Sequence, residues 1–290
     1  MKKIIVCLLL IGILLSLGCN RLKRPDIDYP VSVDYHKGTK GLVIEKVDNL
    51  PPDEIMEGSD FVIGVELKNK GAVDIQEAIV TLYGFEGGYV SINNPQYYVD
   101  IPGSQPGFPE GGYEILNFEV KNNEIPEVVK TYTAAYTVSA YYRYKTEVAS
   151  DVCINPNLYS YVKTKETVCE PKEITISGGQ GAPVAVTKIE QSFTPYQEKI
   201  KANFLITFAN KGDGEVAGKV HIGDVRLANV PISCNQDSVT LKEKEEKSVL
   251  CSGEILLSSG TYIAPLAVDL IYDYISRLDE KVKIRSIRDT

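Results

Sequence analysis

The chain has 290 residues, with 31 Lys+Arg against 39 Asp+Glu and a formal charge of −8 at pH 7. An acidic chain without a basic patch excludes nucleic acid as its partner, because phosphate binding needs clustered cations. The length is sufficient for two separate hydrophobic cores.

Residues 1–18 read as a signal peptide, in which Lys2 and Lys3 precede the apolar run Ile4 to Leu17. That run is short for a bilayer span, which needs about 20 residues. Leu15-Ser16-Leu17-Gly18-Cys19 resembles a prokaryotic lipobox, in which a small residue precedes the cysteine that receives a lipid and becomes the mature N-terminus. The resemblance makes Cys19 the lipidation residue and a membrane the first partner. An uncleaved signal anchor is the other reading. Residues 19–41 show no sustained periodicity and carry Arg21, Lys23, Arg24 and Pro25, the composition of a solvated tether whose cations can rest on anionic headgroups.

Leu42, Ile44 and Val47 open a first strand before Pro51-Pro52, which cannot donate to a ladder. Phe61 to Gly71 then alternates apolar and polar residues, with Phe61, Ile63, Val65 and Leu67 on one face. The same pattern returns 141 residues later in Ala202 to Gly212, with Ala202, Phe204, Ile206 and Phe208. Both runs stop at Asn-Lys-Gly, where Asn and Gly suit the positive φ of a tight reversal. A second repeat lays Tyr132–Ile154 over Tyr262–Ile284 at an offset of 130, with seven identities in 23 ungapped positions. The change in offset gives the first copy 11 extra residues, within the Gly-, Pro- and Tyr-rich stretch between Tyr83 and Gly112.

Ala185, Val186 and Ile189 match the first strand. Tyr113, Ile115, Phe118 and Val120 match a strand holding Ser248, Leu250 and Ile255. With no helical periodicity, the expected class is all-β: two sandwiches in tandem, at 42–154 and 182–290, joined by a connector at 155–181. The connector ends in a Gly-rich run, 177–184. It lacks Gly-Lys-Ser/Thr and a following helix, so it reads as a hinge or a close backbone approach between copies and not as a phosphate loop.

Cys7 leaves with the leader, which leaves Cys153, Cys169, Cys234 and Cys251. Separations of 16 and 17 residues, each within one segment, favour Cys153 with Cys169 and Cys234 with Cys251. Each bridge closes a loop worth about 3 kcal/mol, and an even set of thiols behind a leader fits an oxidising compartment. Zinc is disfavoured by the absence of Cys-x-x-Cys. Neither His36 nor His221 has the setting of a catalytic base. Glu54, Glu57, Asp60 and Asp74 could gather around Ca²⁺, but without an alternating Asp/Asn loop they read as solvated charges. The expectation is therefore a non-enzymatic chain with no cofactor and no metal.

One segment stands out because only the first copy has it. Tyr83, Phe85, Tyr89, Tyr97, Tyr98, Phe108 and Tyr113 punctuate residues 83–113, and tyrosine offers large contact area at low entropic cost. They form a partner-binding surface or a lid folded back on the sandwich. Tyr132 and Tyr262, each opening a long strand, could bond back to upstream backbone as corner tyrosines do.

The alternating strand, Asn69-Lys70-Gly71 and Asn210-Lys211-Gly212, and the later strands opening with Thr131-Tyr132 and Gly260-Thr261-Tyr262 resemble the CARDB-type module. This is a cell-adhesion-related immunoglobulin-like sandwich of bacterial and archaeal surface proteins. The resemblance covers 41–154 and 182–284. It implies immunoglobulin-like folds and a lipid-anchored role in adhesion or spacing at the cell surface or the external face of the cytoplasmic membrane, with a surface protein or glycan as partner. It brings no catalytic residues. A scaffold or accessory subunit of an envelope, pilus or secretion assembly, docking through sheet edges, is the alternative.

Overall fold

The computed structural model describes residues 35–85, 88–155, 169–242, 245–256 and 260–289. The signal peptide, Cys19 and most of the tether lie outside the described residues, as do Glu86, Gly87 and connector residues 156–168. The fold is all-β, and the one helical element among the described residues is a 3-10 turn at Ile287–Asp289. The first copy supplies β1 (Leu42–Lys46), β2 (Glu54–Met56), β3 (Phe61–Asn69), β4 (Ile75–Tyr83), β5 (Val90–Ile92), β6 (Gln96–Ile101), β7 (Tyr113–Asn122) and β8 (Thr131–Ile154). The second supplies β9 (Ile174–Thr175), β10 (Val184–Tyr196), β11 (Lys199–Asn210), β12 (Glu215–Leu227), β13 (Val230–Pro231), β14 (Ser233–Cys234), β15 (Ser238–Thr240), β16 (Glu246–Leu256) and β17 (Tyr262–Arg285).

Three sheets result. β1-β3-β7-β5 and β14-β16-β11-β10-β9 are separate small sheets. A single large sheet, β13-β12-β17-β8-β4-β6 with β15 beside β12 and β2 beside β17, runs through both copies. Period-two alternation explains the layering. On β8 the even positions from Ala134 to Val148 are buried, and on β17 so are the even positions from Ala264 to Tyr274. Even residues oppose even residues in the register, so the large sheet hides one face along its whole width. Both small sheets pack against that face over one contiguous core, leaving the odd-numbered face of the central strands outermost.

The sequence limits 42–154 and 182–290 delimit the repeats, but they do not delimit bodies in space. β8 and β17 pair antiparallel over their full 24 residues, from Thr131↔Arg285 to Ile154↔Tyr262. Each strand leaves its own copy halfway along and completes the other sandwich. The end of β17 pairs in parallel with β2, and Lys283 Nζ donates to Glu54 Oε2 at 2.7 Å. The end of β8 reaches the second copy, where the Cys153 N–H donates to Gln191 Oε1 at 3.1 Å. Alternation along a strand shows which face is buried. It does not show which copy lies behind that face.

Arg143 lies opposite Asp273, its own counterpart at the offset of 130, so a local two-fold axis passes through that pair. Around it stand four buried tyrosines, with Tyr142 opposite Tyr274 and Tyr144 opposite Tyr272. Their hydroxyls satisfy backbone groups that the small sheets would otherwise bury unpaired, at a cost of about 1–3 kcal/mol each. The Leu42 N–H donates to Tyr142 Oη at 3.0 Å, and the Val184 N–H to Tyr272 Oη at 3.2 Å. Ser276 Oγ donates to the Leu42 carbonyl at 2.6 Å and Thr146 Oγ1 to the Val184 carbonyl at 2.5 Å, so each copy's first strand is also held by the other copy's long strand.

The Asn-Lys-Gly turns are sockets for the other two tyrosines. Asn69 Oδ1 accepts the Gly71 N–H, and Asn210 Oδ1 accepts the Gly212 N–H, both at 3.1 Å. Tyr274 Oη accepts the Gly214 N–H at 2.9 Å and donates to Asn210 Oδ1 at 3.0 Å; Tyr144 repeats this with the Val73 N–H and Asn69 Oδ1 at 3.3 and 3.4 Å. The expectation of positive φ at these turns is not met, since none of the four Asn and Gly residues adopts it. Glycine serves close approach instead: a Cβ on Gly71 would lie 1.8 Å from Tyr144 Oη, and one on Gly212 2.6 Å from Tyr274 Oη. These mid-strand tyrosines bond to upstream backbone in the way corner tyrosines do. The connector's glycines likewise make close backbone approaches, with Gly179 bridged to Gly38 of the tether and the Gly181 carbonyl accepting the Ala72 N–H of the first copy at 2.8 Å.

The disulfides join Cys153 to Cys169 and Cys234 to Cys251, the latter directly opposed on β14 and β16.

Candidate functional site

The aromatic residues of 83–113 divide into two groups. Phe85, Tyr89 and Tyr97 pack inward: Phe85 against Tyr136 at 5.6 Å, Tyr89 edge-on to Tyr132 at 5.4 Å, and Tyr97 edge-on to Phe118 at 5.1 Å. Tyr97 Oη also donates to the Asn117 carbonyl at 2.9 Å. The segment is thus largely built into the fold, because β5 extends a small sheet and β6 extends the large one. Phe108 and Tyr113 are exposed elsewhere, Phe108 in the turn it makes with Gln105 and Tyr113 opposite Lys68 on the small sheet. Tyr83 and Tyr98 remain on the outer face of the large sheet, 43% and 69% exposed.

Sequence reasoning missed their companion. Tyr98 on β6 opposes Ile79 on β4, and Ile79 opposes Tyr141 on β8, which opposes Ile275 on β17. Directly opposed residues share a face, so these four form one row, in which Tyr141 is 41% exposed. Neighbouring rows carry Gln96, Thr81 and Ser139, then Tyr83 and Thr137. The local two-fold axis maps this row onto His221, Ile271 and Lys145 on the second copy's side. Tyr141 read as a strand residue because its alternation is the same as that of its neighbours; only the cross-strand register places it beside Tyr98.

Beside the row, with Ile79 and Tyr141 in its lining, lies a groove of about 580 Å³. In the second copy Glu215, Val216 and Ala217 pair directly with Ile275, Tyr274 and Asp273 of β17. The first-copy counterparts of β12's start turn aside: the β4–β6 register shifts between Ile75 and Ala78, Glu77 has φ 51°, and β4 meets β8 only from Ile79 onward. The strands splay there. Asp74, Gln76 and Glu77 line one side of the opening, and Arg143, Lys145 and Asp273 the other.

The polar groups of the groove are already held. Asp273 accepts from Tyr141 Oη at 2.8 Å and from Arg143 Nε at 3.1 Å. Lys145 Nζ lies 2.7 Å from Glu147 and 2.9 Å from Asp269. The bond to Asp273, aided by burial, raises the Tyr141 hydroxyl above its ordinary value and keeps it a donor. For Lys145, burial favours the neutral amine, but Glu147 and Asp269 outweigh it and the ammonium is stabilised. A rigid, pre-hydrogen-bonded set of donors and acceptors beside an exposed ring can bind a ligand at little ordering cost.

The four carboxylates considered for Ca²⁺ have separate partners. Glu54 pairs with Lys283 and Arg285, and buried Glu57 lies 3.5 Å from Arg288. Asp60 accepts the Asn122 N–H and Asp74 the Gly103 N–H. Among the described residues no helix is long and apolar enough to cross a membrane.

No protein-family model matches the chain, and no curated protein matches it. Solved structures with some similarity include the YadV chaperone, at 8% identity over 82% of this chain and 100% of that one with a TM-score of 0.20. Another is the CupB6 tip adhesin from Pseudomonas aeruginosa, at 8% identity over 86% and 97% with a TM-score of 0.18.

Proposed function

We propose that the protein is a non-enzymatic binding module, held at the cell surface or the external face of the cytoplasmic membrane by a lipid on Cys19. Its binding surface is the outer face of the large sheet, on the side built by β4 and β6. The observation that carries this reading is the row Tyr98, Ile79 and Tyr141, which presents two exposed rings across three hydrogen-bonded strands. Rings on strands lose little freedom when a partner docks. The leader and lipobox-like residues support the location, as do the two disulfides, which suit an oxidising compartment. The CARDB-type resemblance of the repeats supports adhesion or spacing.

Deleting residues 87–109 is a poor test, because it removes β5, β6 and the inward-packed Tyr89 and Tyr97. Tyr83→Ser with Tyr98→Ser keeps the fold. Crosslinking capture from intact cells should be lost in this double variant with an unchanged melting temperature; capture that survives rejects the surface. Palmitate labelling lost on Cys19→Ser tests the anchor.

The scaffold alternative finds support in the open ends of the large sheet, where β6 on one side and the two-residue β13 on the other are edge strands. Under that reading, capture of envelope machinery persists without the tyrosines.

A further inference from the structure

We infer that the occupant of this face is a neutral glycan, lying along Tyr98 and Tyr141 with one sugar unit in the groove beside them. The inference rests on the proposed binding role and names its ligand class. Tyr98 and Tyr141 stand two strands apart, about 9–10 Å, comparable to the span of a disaccharide, with the lower Ile79 between them. Around the rings the sheet offers amide and hydroxyl groups, from Gln96, Thr81 and Ser139, which can exchange hydrogen bonds with sugar hydroxyls.

The charges of the groove decide against an ionic ligand. Asp74 and Glu77 face Arg143, Lys145 and Asp273 across it, and both cations are already paired, with Asp269 and Glu147 adding further negative charge at Lys145. An anion would meet at least three carboxylates. A cation would meet two fixed positive charges. A polyol uses both kinds of group, because each sugar hydroxyl donates to a carboxylate and accepts from an ammonium or guanidinium. The second copy lacks both elements of the site: Ser238 and Ile271 stand where Tyr98 and Tyr141 stand in the first, and direct β12–β17 pairing closes the groove.

The test uses the purified full-length chain in a detergent without a sugar headgroup, titrated calorimetrically with cellotetraose, chitotetraose and mannotetraose. The expected result is saturable binding of at least one of them. Tyr98→Ala should weaken it about tenfold, as loss of one ring's contact predicts, while Tyr98→Phe keeps most of the affinity. Tyr141→Phe, which retains the ring but frees Asp273, should alter affinity without moving the melting temperature. Binding unaffected by both Tyr98→Ala and Tyr141→Ala overturns the site. If no oligosaccharide binds, yet the tyrosines still govern capture of a protease-sensitive partner from cells, the glycan inference fails and the binding role stands. If the tyrosines matter in neither assay, both fail.

Discussion

The two copies are nearly interchangeable where they meet and unlike where they face outward. Around the local two-fold axis each copy contributes the same Asn socket, the same pair of tyrosines and the same hydroxyl bridge to the other copy's first strand. On the outer face, one side presents Tyr98, Ile79 and Tyr141, and the other His221, Ile271 and Lys145. Every buried group here must be satisfied by a partner at fixed distance, so the interior tolerates little divergence. The solvent face carries no such debt and can be specialised in one copy alone. The axis itself records the difference: the residue facing its own counterpart is Arg143 in one copy and Asp273 in the other, whereas identical charges there would repel.

The largest test of this relation separates the copies. Because each sandwich is completed by the other's long strand, segments 35–154 and 182–290 expressed apart should show no cooperative thermal transition as monomers. Mixed, they should restore a 1:1 complex, since self-pairing would place Arg143 opposite Arg143 or Asp273 opposite Asp273. Two independently folded monomers would refute the exchange.

Alkali should act next most strongly. Burial raises the hydroxyls of Tyr142, Tyr144 and Tyr272 well above the ordinary tyrosine value, and pushes Tyr274 up to about 12. The neutral forms favour the folded state, so this stability is fully present below about pH 10 and is lost as pH rises towards the folded values. Each tyrosine should contribute a slope of about 1.4 kcal/mol per pH unit. Urea midpoints measured from pH 9 upward should fall steeply, and Tyr272→Phe should remove one tyrosine's share of the slope.

The sockets differ in tightness. Gly71→Ala meets the Tyr144 hydroxyl and the Gly181 carbonyl, at 1.8 and 2.6 Å, and should cost about 3 kcal/mol; Gly212→Ala, with 2.6 Å to its nearest atoms, should cost about 1. Denaturant titration of both variants checks the order, and Tyr144→Phe should recover part of the first loss. The smallest effect belongs to the axis pair. Arg143 is 74% exposed, so Arg143→Ala should cost no more than about 0.5 kcal/mol by the same titration.

Much of this was legible beforehand. Alternation located β3 and β11, the fixed offset of 130 identified β8 and β17 as equivalent, and spacing favoured the two disulfides that the structure contains. Three features were hidden, each for a physical reason. The exchange of half-strands depends on which strand lies alongside, and a period of two carries no such information. Gly71 was read through its backbone freedom when its role is to leave room for a hydroxyl 73 positions away in the chain. The outer row joins Tyr98 to Tyr141 through a register that no local pattern contains. Of the seven aromatic residues singled out in 83–113, composition could not separate the three that pack inward from the four left exposed.

Where the polypeptide enters the fold has a mechanical consequence. Gly38 pairs with Gly179, and four residues later the Leu42 amide is fastened to Tyr142 beside the axis. Under the proposed anchoring and binding role, drag on a captured partner would reach the molecule at its waist, beside the 24-residue β8–β17 ladder that both copies share. A chain of beads would bear the same pull one bead at a time.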